Sequence, residues 1–290
     1  LFTTALIDMT KINSFSAAIV IALAALLVFV WRQILFFDPA TKPKLFFLDV
    51  GQGDATLLVL PGNVKIITDA GPDRKIIGSL GNVLEKGDRY IDLAIISHPQ
   101  LDHYNGFNYL LDNYEFGAFI FSGRSNDAEE WKILIDTINA KNVPLVALGA
   151  GDRVRYKNNS IDIISPGRAL LQSAELNDTG LVELVSAPPL KALLAADIGF
   201  GVEKQLVANS YQIAADILKV PHHGSKYSSG LEFIGAVQPK LAVIGVGRNR
   251  YGHPTEEAVS RLSAYTEKIF RTDRNGTVEV VAEGDKLLVF

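Results

Sequence analysis

Ser97-His98-Pro99-Gln100-Leu101-Asp102-His103 follows a mostly apolar run, Ile91 to Ile96. A buried strand that opens into a loop dense in imidazole and carboxylate is how many folds present a metal or catalytic site at a sheet edge. The chain has only five histidines, at 98, 103, 222, 223 and 253, gathered in three short stretches that each follow an expected strand. Histidines scattered as filler would not cluster in this way. His98 and His103 supply borderline nitrogen donors, and Asp102 supplies a hard oxygen. Asp102 and His103 are adjacent, so only a tight loop can aim both at one ion. His98, four residues before Asp102, can reach a second ion. Two ions about 3.5–4 Å apart can activate a water and stabilise the leaving oxygen of a hydrolysed bond. The competing reading is a surface loop whose polar groups cap the next helix.

Further along, Ala192-Leu193-Leu194-Ala195-Ala196-Asp197 ends an apolar run in a carboxylate. That Asp is placed either to bridge two ions or to cap a helix starting near Gly199. Val220-Pro221-His222-His223-Gly224-Ser225 again sets imidazole straight after a strand, and Tyr251-Gly252-His253-Pro254 lies beyond the Leu241 to Val246 strand. Taken singly, each histidine reads as a satisfied core or capping group. Their recurrence at strand ends carries more weight, because a sheet gathers its strand ends along one edge.

With 290 residues and 48% hydrophobic content the chain can bury a sizeable core, as one large domain or two. No cysteine is present, which excludes disulfides, thiolate nucleophiles and cysteine-type zinc sites. A formal net charge of −4 gives no overall nucleic-acid footprint. The charge is unevenly spread: nine Lys/Arg against five Asp/Glu between Ile217 and Asn275 make that segment +4 and the remainder −8. A local excess around three of the histidines suits an anionic substrate.

The N-terminus reads as a separate element. Residues 1–11 form a tail, 12–37 a transmembrane anchor and 38–43 a linker with two prolines, before a domain over 44–290. Ile12 to Trp31 is free of charge and flanked by Lys11 and Arg32. As a helix it spans about 30 Å, the thickness of a bilayer's hydrocarbon core. Trp31 falls at interface depth, and the absence of a small-residue cleavage site favours an uncleaved anchor over a removed leader. Met9, the only methionine, precedes Thr10-Lys11 and is a candidate start. A longer parent chain is the other reading of Leu1 to Asp8.

After the linker the pattern turns β-rich. Lys44–Val50 and Ala55–Leu60 are apolar runs joined by Gly51-Gln52-Gly53-Asp54, which suggests a hairpin. Val64–Thr68 is a third strand. Helical spacing over Asn126–Ala140, hairpins over 153–164 and 181–196, and strand–helix alternation from Ile217 to Tyr265 follow. The two halves predict two sheets packed face to face beneath outer helices, an α/β (α+β) fold.

These segments resemble the metallo-β-lactamase-fold hydrolases, and most closely the ComEC-type branch found as the C-terminal domain of bacterial DNA-uptake (competence) channel proteins. The stretches that carry the resemblance are LDVGQGDATLL (48–58), IITDAG (66–71), ISHPQLDHYNG (96–106), NDTGLV (177–182), LLAADIG (193–199), LKVPHHGS (218–225), NRYGHP (249–254) and RTDRNGTVEV (271–280). They run in the family's order. The resemblance implies an αββα sandwich with one or two divalent ions, Zn²⁺ or Mn²⁺, along one edge.

It further implies metal ligation by His98, Asp102, His103, Asp197 and His222. Asp197 would bridge the ions, Asp102, His103 and His222 would hold one of them, and His98 would serve the other. Asp69 would orient ligands from behind. Asp49, Asp54, Asn177 and Ser225 belong to the same signature, on the substrate side or behind the ligands. Asp102 or Asp197 would orient an attacking hydroxide, and His223 or His253 would assist the leaving group. Three residues depart from the pattern. Gln100 stands where His or Asp is usual and weakens or empties the His98 side, since a neutral carbonyl is a poorer donor. Asn105 replaces a glycine and Gly180 a serine. The implied activity is that of a membrane-anchored phosphodiesterase or nuclease-like hydrolase, with its domain on the extracytoplasmic face and single-stranded DNA or another phosphodiester as substrate. The alternatives are a non-catalytic nucleic-acid-binding module or the tail of an uptake channel.

Overall fold

The computed structural model describes residues 14–36, 42–209, 212–266, 268–284 and 286–290, with the side chains of 16–32 in the first segment. The chain divides into two units, Leu1–Thr41 and Lys42–Phe290. In the first, helix α1 (Ser14–Phe36) coincides with the expected anchor. It is apolar all round, and large side chains such as Val20, Ile21, Leu27 and Phe29 are exposed. Among the described residues, no helix is long and apolar enough to cross a membrane. The expected tail and residues 38–41 of the expected linker lie outside the described residues.

In the second unit, β1 (Lys44–Phe47), β2 (Thr56–Leu60), β3 (Val64–Thr68), β4 (Tyr90–Ile95), β5 (Glu115–Phe121) and β6 (Leu145–Ala147) build one sheet. The other holds β7 (Arg153–Tyr156), β8 (Asn159–Ser165), β9 (Val182–Ala187), β10 (Leu190–Leu194), β11 (Ile217–Lys219), β12 (Leu241–Ile244) and β13 (Ile269–Arg271). The chain then returns to the first sheet with β14 (Val278–Glu283) and β15 (Lys286–Val289), giving the order β15-β14-β1-β2-β3-β4-β5-β6. Helices α2 (Lys75–Val83), α3 (Leu101–Tyr104), α4 (Gly106–Leu110) and α5 (Glu129–Ala140) connect the strands of the first sheet. Helices α6 (Phe200–Ala208), α7 (Leu231–Val237), α8 (Glu256–Ser263) and α9 (Thr272–Asn275) belong to the second half.

Strand alternation builds two apolar layers. Ile217, Leu241, Val243, Ala192 and Leu194 enter the core between the sheets, while Leu218, Ala242, Ile244 and Leu193 turn to the other face. There they meet Val202 and Leu206 of α6, Phe233, Ile234 and Val237 of α7, and Leu262 of α8. On the first sheet Phe107 of α4 packs on Phe119 of β5, and Trp131 of α5 on Phe121. Each fully buried aliphatic or aromatic side chain contributes about 1.5–3 kcal/mol. The expected two-sheet sandwich under outer helices is what the domain adopts.

The same alternation positions the site. Along the intersheet face, apolar residues give way at one edge to polar ones: Ile66 to Thr68, Leu58 to Thr56 and Asp54, Val185 to Glu183, and Ile217 to Lys219. All of these polar residues are buried. Strands β3, β4 and β5 run parallel to one another, as do β10, β11 and β12, so their C-terminal ends open on this edge.

Glu183 has the largest consequence for stability among them. Its Oε2 accepts from Thr68 Oγ1 at 3.0 Å, and its Oε1 has no partner. Burial, with Asp69 adding to it and Thr68 opposing, pushes the carboxyl from 4.5 up to about 8. The folded state therefore holds a proton that the unfolded chain releases. That contribution is complete below about pH 4.5 and is lost as pH rises through 8, at about 1.4 kcal/mol per pH unit inside the window. Glu183→Gln keeps the shape and removes the titration. Denaturant unfolding should find the variant more stable than the parent at pH 9, with the gap closing toward pH 5.

Candidate metal centre

Three strand ends deliver the chemistry through left-handed backbone. Asp69 after β3 (φ 60°), Ala196 after β10 (φ 46°), and His222 and His223 after β11 (φ 50° and 51°) all leave the extended region. Such conformations cost of order 1–3 kcal/mol each and persist where the surroundings over-determine them. They turn the following side chains in from the edge. The remaining arm is α3, whose first turn holds Asp102 and His103.

The inward atoms converge. His223 Nε2 lies 3.2 Å from Asp197 Oδ2 and 3.2 Å from Asp102 Oδ2. His103 Nε2 lies 3.3 Å from Asp197 Oδ2 and 3.9 Å from Asp102 Oδ1. The outward nitrogens of both rings are engaged: His103 Nδ1 with Asp69 Oδ2 at 2.8 Å, and His223 Nδ1 with the Gly245 carbonyl at 2.7 Å. Asp69 is itself fixed by the Ser97 backbone N–H and hydroxyl, which donate at 2.8 and 2.7 Å. This is the arrangement that sets a ligating imidazole's tautomer and aims its free lone pair inward.

The donor set passes a test of fit for a cation. His103 Nε2 is buried without a hydrogen-bond partner. Ligands about 2.0–2.1 Å from a tetrahedral ion stand about 3.3 Å apart, close to three of the four spacings above. Among the described residues, Asp54, His103, Asp197 and His223 form a quartet with donor atoms within 4.8 Å of one another. Within it, Asp54 faces the Nδ1 side of both rings, 3.9 Å from His103 and 3.6 Å from His223. Those nitrogens are already engaged, so Asp102 completes the inward set better than Asp54. Asp102, with 32% of its side chain exposed, is the member that solvent reaches.

Charge holds the cluster together. Burial alone would raise the Asp197 pKa, but His223, His103 and Lys219 outweigh it and hold the carboxyl well below its usual range. For Asp102 burial is likewise overcome, by His103 and His223. Burial depresses His103 and His223, yet Asp197 and the carboxylates beside them raise both well above 6.5. An incoming cation would displace those protons.

The other expected residues fall around this group. His98 is fully buried, its Nδ1 2.9 Å from Ser97 Oγ and its Nε2 3.3 Å from the Gln100 amide oxygen. Burial pushes its pKa down to about 4, with His103 adding to the effect. His222 does not join the inward set. Its backbone N–H donates to the Ala196 carbonyl, and its ring lies 3.5 Å from Asn177 Nδ2 and 5.6 Å, centroid to centroid, from His253. Of the two adjacent histidines it is His223, and not the expected His222, whose ring meets Asp197, because consecutive left-handed residues turn the second inward. Asp49 is engaged elsewhere, accepting from the Gly51 N–H and from Lys75 Nζ. Ser225 lines the open side with His222 and His253. The two smaller departures are accommodated locally: Asn105 sits at φ −67°, where no glycine is needed, and a side chain at Gly180 would press on Ala196.

Lys219, Ser97 and Gly245 are given no role in the reading of the sequence. Lys219 had a signal, since a lone charge at a core-facing position of an apolar strand needs a buried partner. Gly245 is dictated by proximity: a Cβ there would collide with Asp54 Oδ1.

A sequence profile described as the Metallo-beta-lactamase superfamily matches residues 48–248. ComE operon protein 3 of Bacillus subtilis is 27% identical over 267 residues, 85% of this chain and 34% of that protein. Recombination protein 2 of Haemophilus influenzae is 28% identical over 262 residues, 88% of this chain and 31% of that one. The chain thus spans about a third of the length of these curated relatives, in keeping with the ComEC-type resemblance. Among solved structures, the metallo-beta-lactamase fold protein YhfI from Bacillus subtilis superposes with a TM-score of 0.55 at 11% identity, over 82% of this chain and 99% of that one. Igni18, a metallo hydrolase from Ignicoccus hospitalis, gives 0.53 at 15% identity, over 82% and 98%. At such identities the structures speak for the fold alone. The profile match takes in well over half of the chain, from the end of β1 to the loop after β12, and so the protein belongs to the Metallo-beta-lactamase superfamily.

Proposed function

We propose that this chain is a metal-dependent phosphodiesterase, active on single-stranded DNA among other phosphodiesters and tethered to a membrane by α1. The observation that carries the reading is the convergence of Asp102, His103, Asp197 and His223 on one point, with the outward nitrogens of both rings already engaged. A divalent ion bound there would act as a Lewis acid and lower the pKa of a water. Asp102, the solvent-reached carboxylate, is placed to orient an incoming nucleophile. His222 and His253 line the open side. Burial makes each less basic than usual, so both are neutral near pH 7 and able to accept a hydrogen bond or pass a proton.

The same open side supports an anionic, base-bearing substrate. A groove of roughly 800 Å³ runs past His222, Ser225, Lys226, Tyr227, Tyr251 and His253, with Glu256 and Glu257 also lining it. Tyr227 and Tyr251 are 66% and 65% exposed, and Lys226 Nζ lies 5.1 Å from the Tyr227 ring centroid. Two exposed aromatic faces, one of them beside a lysine ammonium, suit stacked bases. The names of the relatives, a recombination protein among them, agree with this. The exposed apolar surface of α1 supports the tether.

The full chain, loaded with Zn²⁺ or Mn²⁺, should hydrolyse bis-p-nitrophenyl phosphate and a single-stranded oligonucleotide. Tyr227→Ala and Tyr251→Ala should each raise KM for the oligonucleotide about tenfold, because stacking contributes about 1–3 kcal/mol per base. The small ester should be unaffected. No turnover of either substrate above a protein-free blank would sink the reading.

A further inference from the structure

Lys219 is a component of the centre whose purpose ligation does not explain. Its side chain is 5% exposed, on the last residue of β11. The ammonium pairs with Asp54 Oδ2, lies 3.5 Å from Asp197 Oδ1 and donates to the Ala196 carbonyl at 2.9 Å. Asp197 is therefore divided between two positive partners. Its Oδ2 faces His103 and His223, where a cation fits, and its Oδ1 faces Lys219. A carboxylate that bridges two metal ions is divided in just this sense. On the other flank, the Nε2 of His98 meets the neutral Gln100 amide in place of an anionic or imidazole neighbour. Two features of the centre thus point the same way. One provides a fixed charge on the bridging carboxylate, and the other weakens the donor set where a second ion would sit.

We propose that the Lys219 ammonium serves as the second cation of this centre, so that the chain holds a single divalent ion. The proposal rests on the metal-binding reading above. It makes Lys219 a positioning residue: it fixes Asp197 through Oδ1 and leaves Oδ2 for the ion, and it keeps Asp54 paired beneath the site.

The test is a count that does not depend on turnover. The full chain is equilibrated with Mn²⁺, freed of loose metal and measured by elemental analysis and electron paramagnetic resonance. The proposal expects one Mn²⁺ per chain with the spectrum of an isolated ion, and the same for Lys219→Arg, which keeps the charge. Lys219→Gln combined with Gln100→His removes the built-in cation and restores a ligand, and should bring the count to two with a spin-coupled spectrum. Two coupled ions in the wild-type chain would overturn the proposal while leaving the metal reading intact. A wild-type count of zero would overturn both. A count that stays at one in a folded double variant, judged by circular dichroism, would remove Lys219 from the explanation.

Discussion

Asp197→Asn is expected to lower divalent-metal affinity and phosphodiesterase kcat by at least about a hundredfold, and to destabilise the metal-free chain as well. The substitution keeps volume and shape but removes the charge that faces His103, His223 and Lys219. Removing one partner of a buried ionic cluster costs about 3–5 kcal/mol, because the groups left behind are charged and unpaired. For a domain of this size each kcal/mol moves Tm by about 2–4 °C, so calorimetry of the metal-free variant should show a fall of about 10 °C. Both effects should arise together. A variant that loses activity while keeping the parent's Tm and metal affinity would mean that Asp197 acts on the substrate and not as the hub of the charge cluster.

The adjacent histidines supply the second large effect. His223→Ala should abolish tight metal binding, with a loss of at least about a hundredfold. It deletes a donor 3.2 Å from two carboxylate oxygens and leaves the Gly245 carbonyl without its partner. His222→Ala should leave metal affinity within about threefold, since that ring faces Asn177 and His253 across the open groove. Its cost should fall on turnover instead. Titration of each variant with Zn²⁺ against a chromophoric chelator distinguishes them. Equal losses of metal affinity would mean that both imidazoles ligate, and the reverse order would restore the roles implied by the family resemblance.

The sequence exposes the skeleton of this site because apolar runs of strand length end in Asp69, His98, Asp197 and His222-His223, and parallel strands bring those ends to one edge. Boundaries follow from the same runs: Val64–Thr68 is read to the residue. Other features leave no such mark. Strand β5 has no alternation, with Phe116, Phe119 and Ile120 buried around a central glycine, and β13 is only three residues long. Which of two neighbouring histidines turns inward is a matter of two φ angles and not of composition. Lys219 leaves a mark that can be read in two ways. A single lysine in Ile217-Leu218-Lys219-Val220 looks like the frayed end of an apolar strand, and only the opposite sheet, with Asp54, shows why a charge belongs there. Gln100, by contrast, is visible as a departure, but its effect is plain only once His98 Nε2 is found against its amide.

The whole account depends on a cation sitting at one point between α3 and the ends of β10 and β11. Anomalous diffraction from crystals of the Zn²⁺-loaded chain, recorded on either side of the zinc edge, locates that ion directly. The expected result is a peak bounded by His103 Nε2, His223 Nε2, Asp197 Oδ2 and Asp102. A peak held by His98 and His222 instead, or no peak at this edge of the sheets, would contradict it.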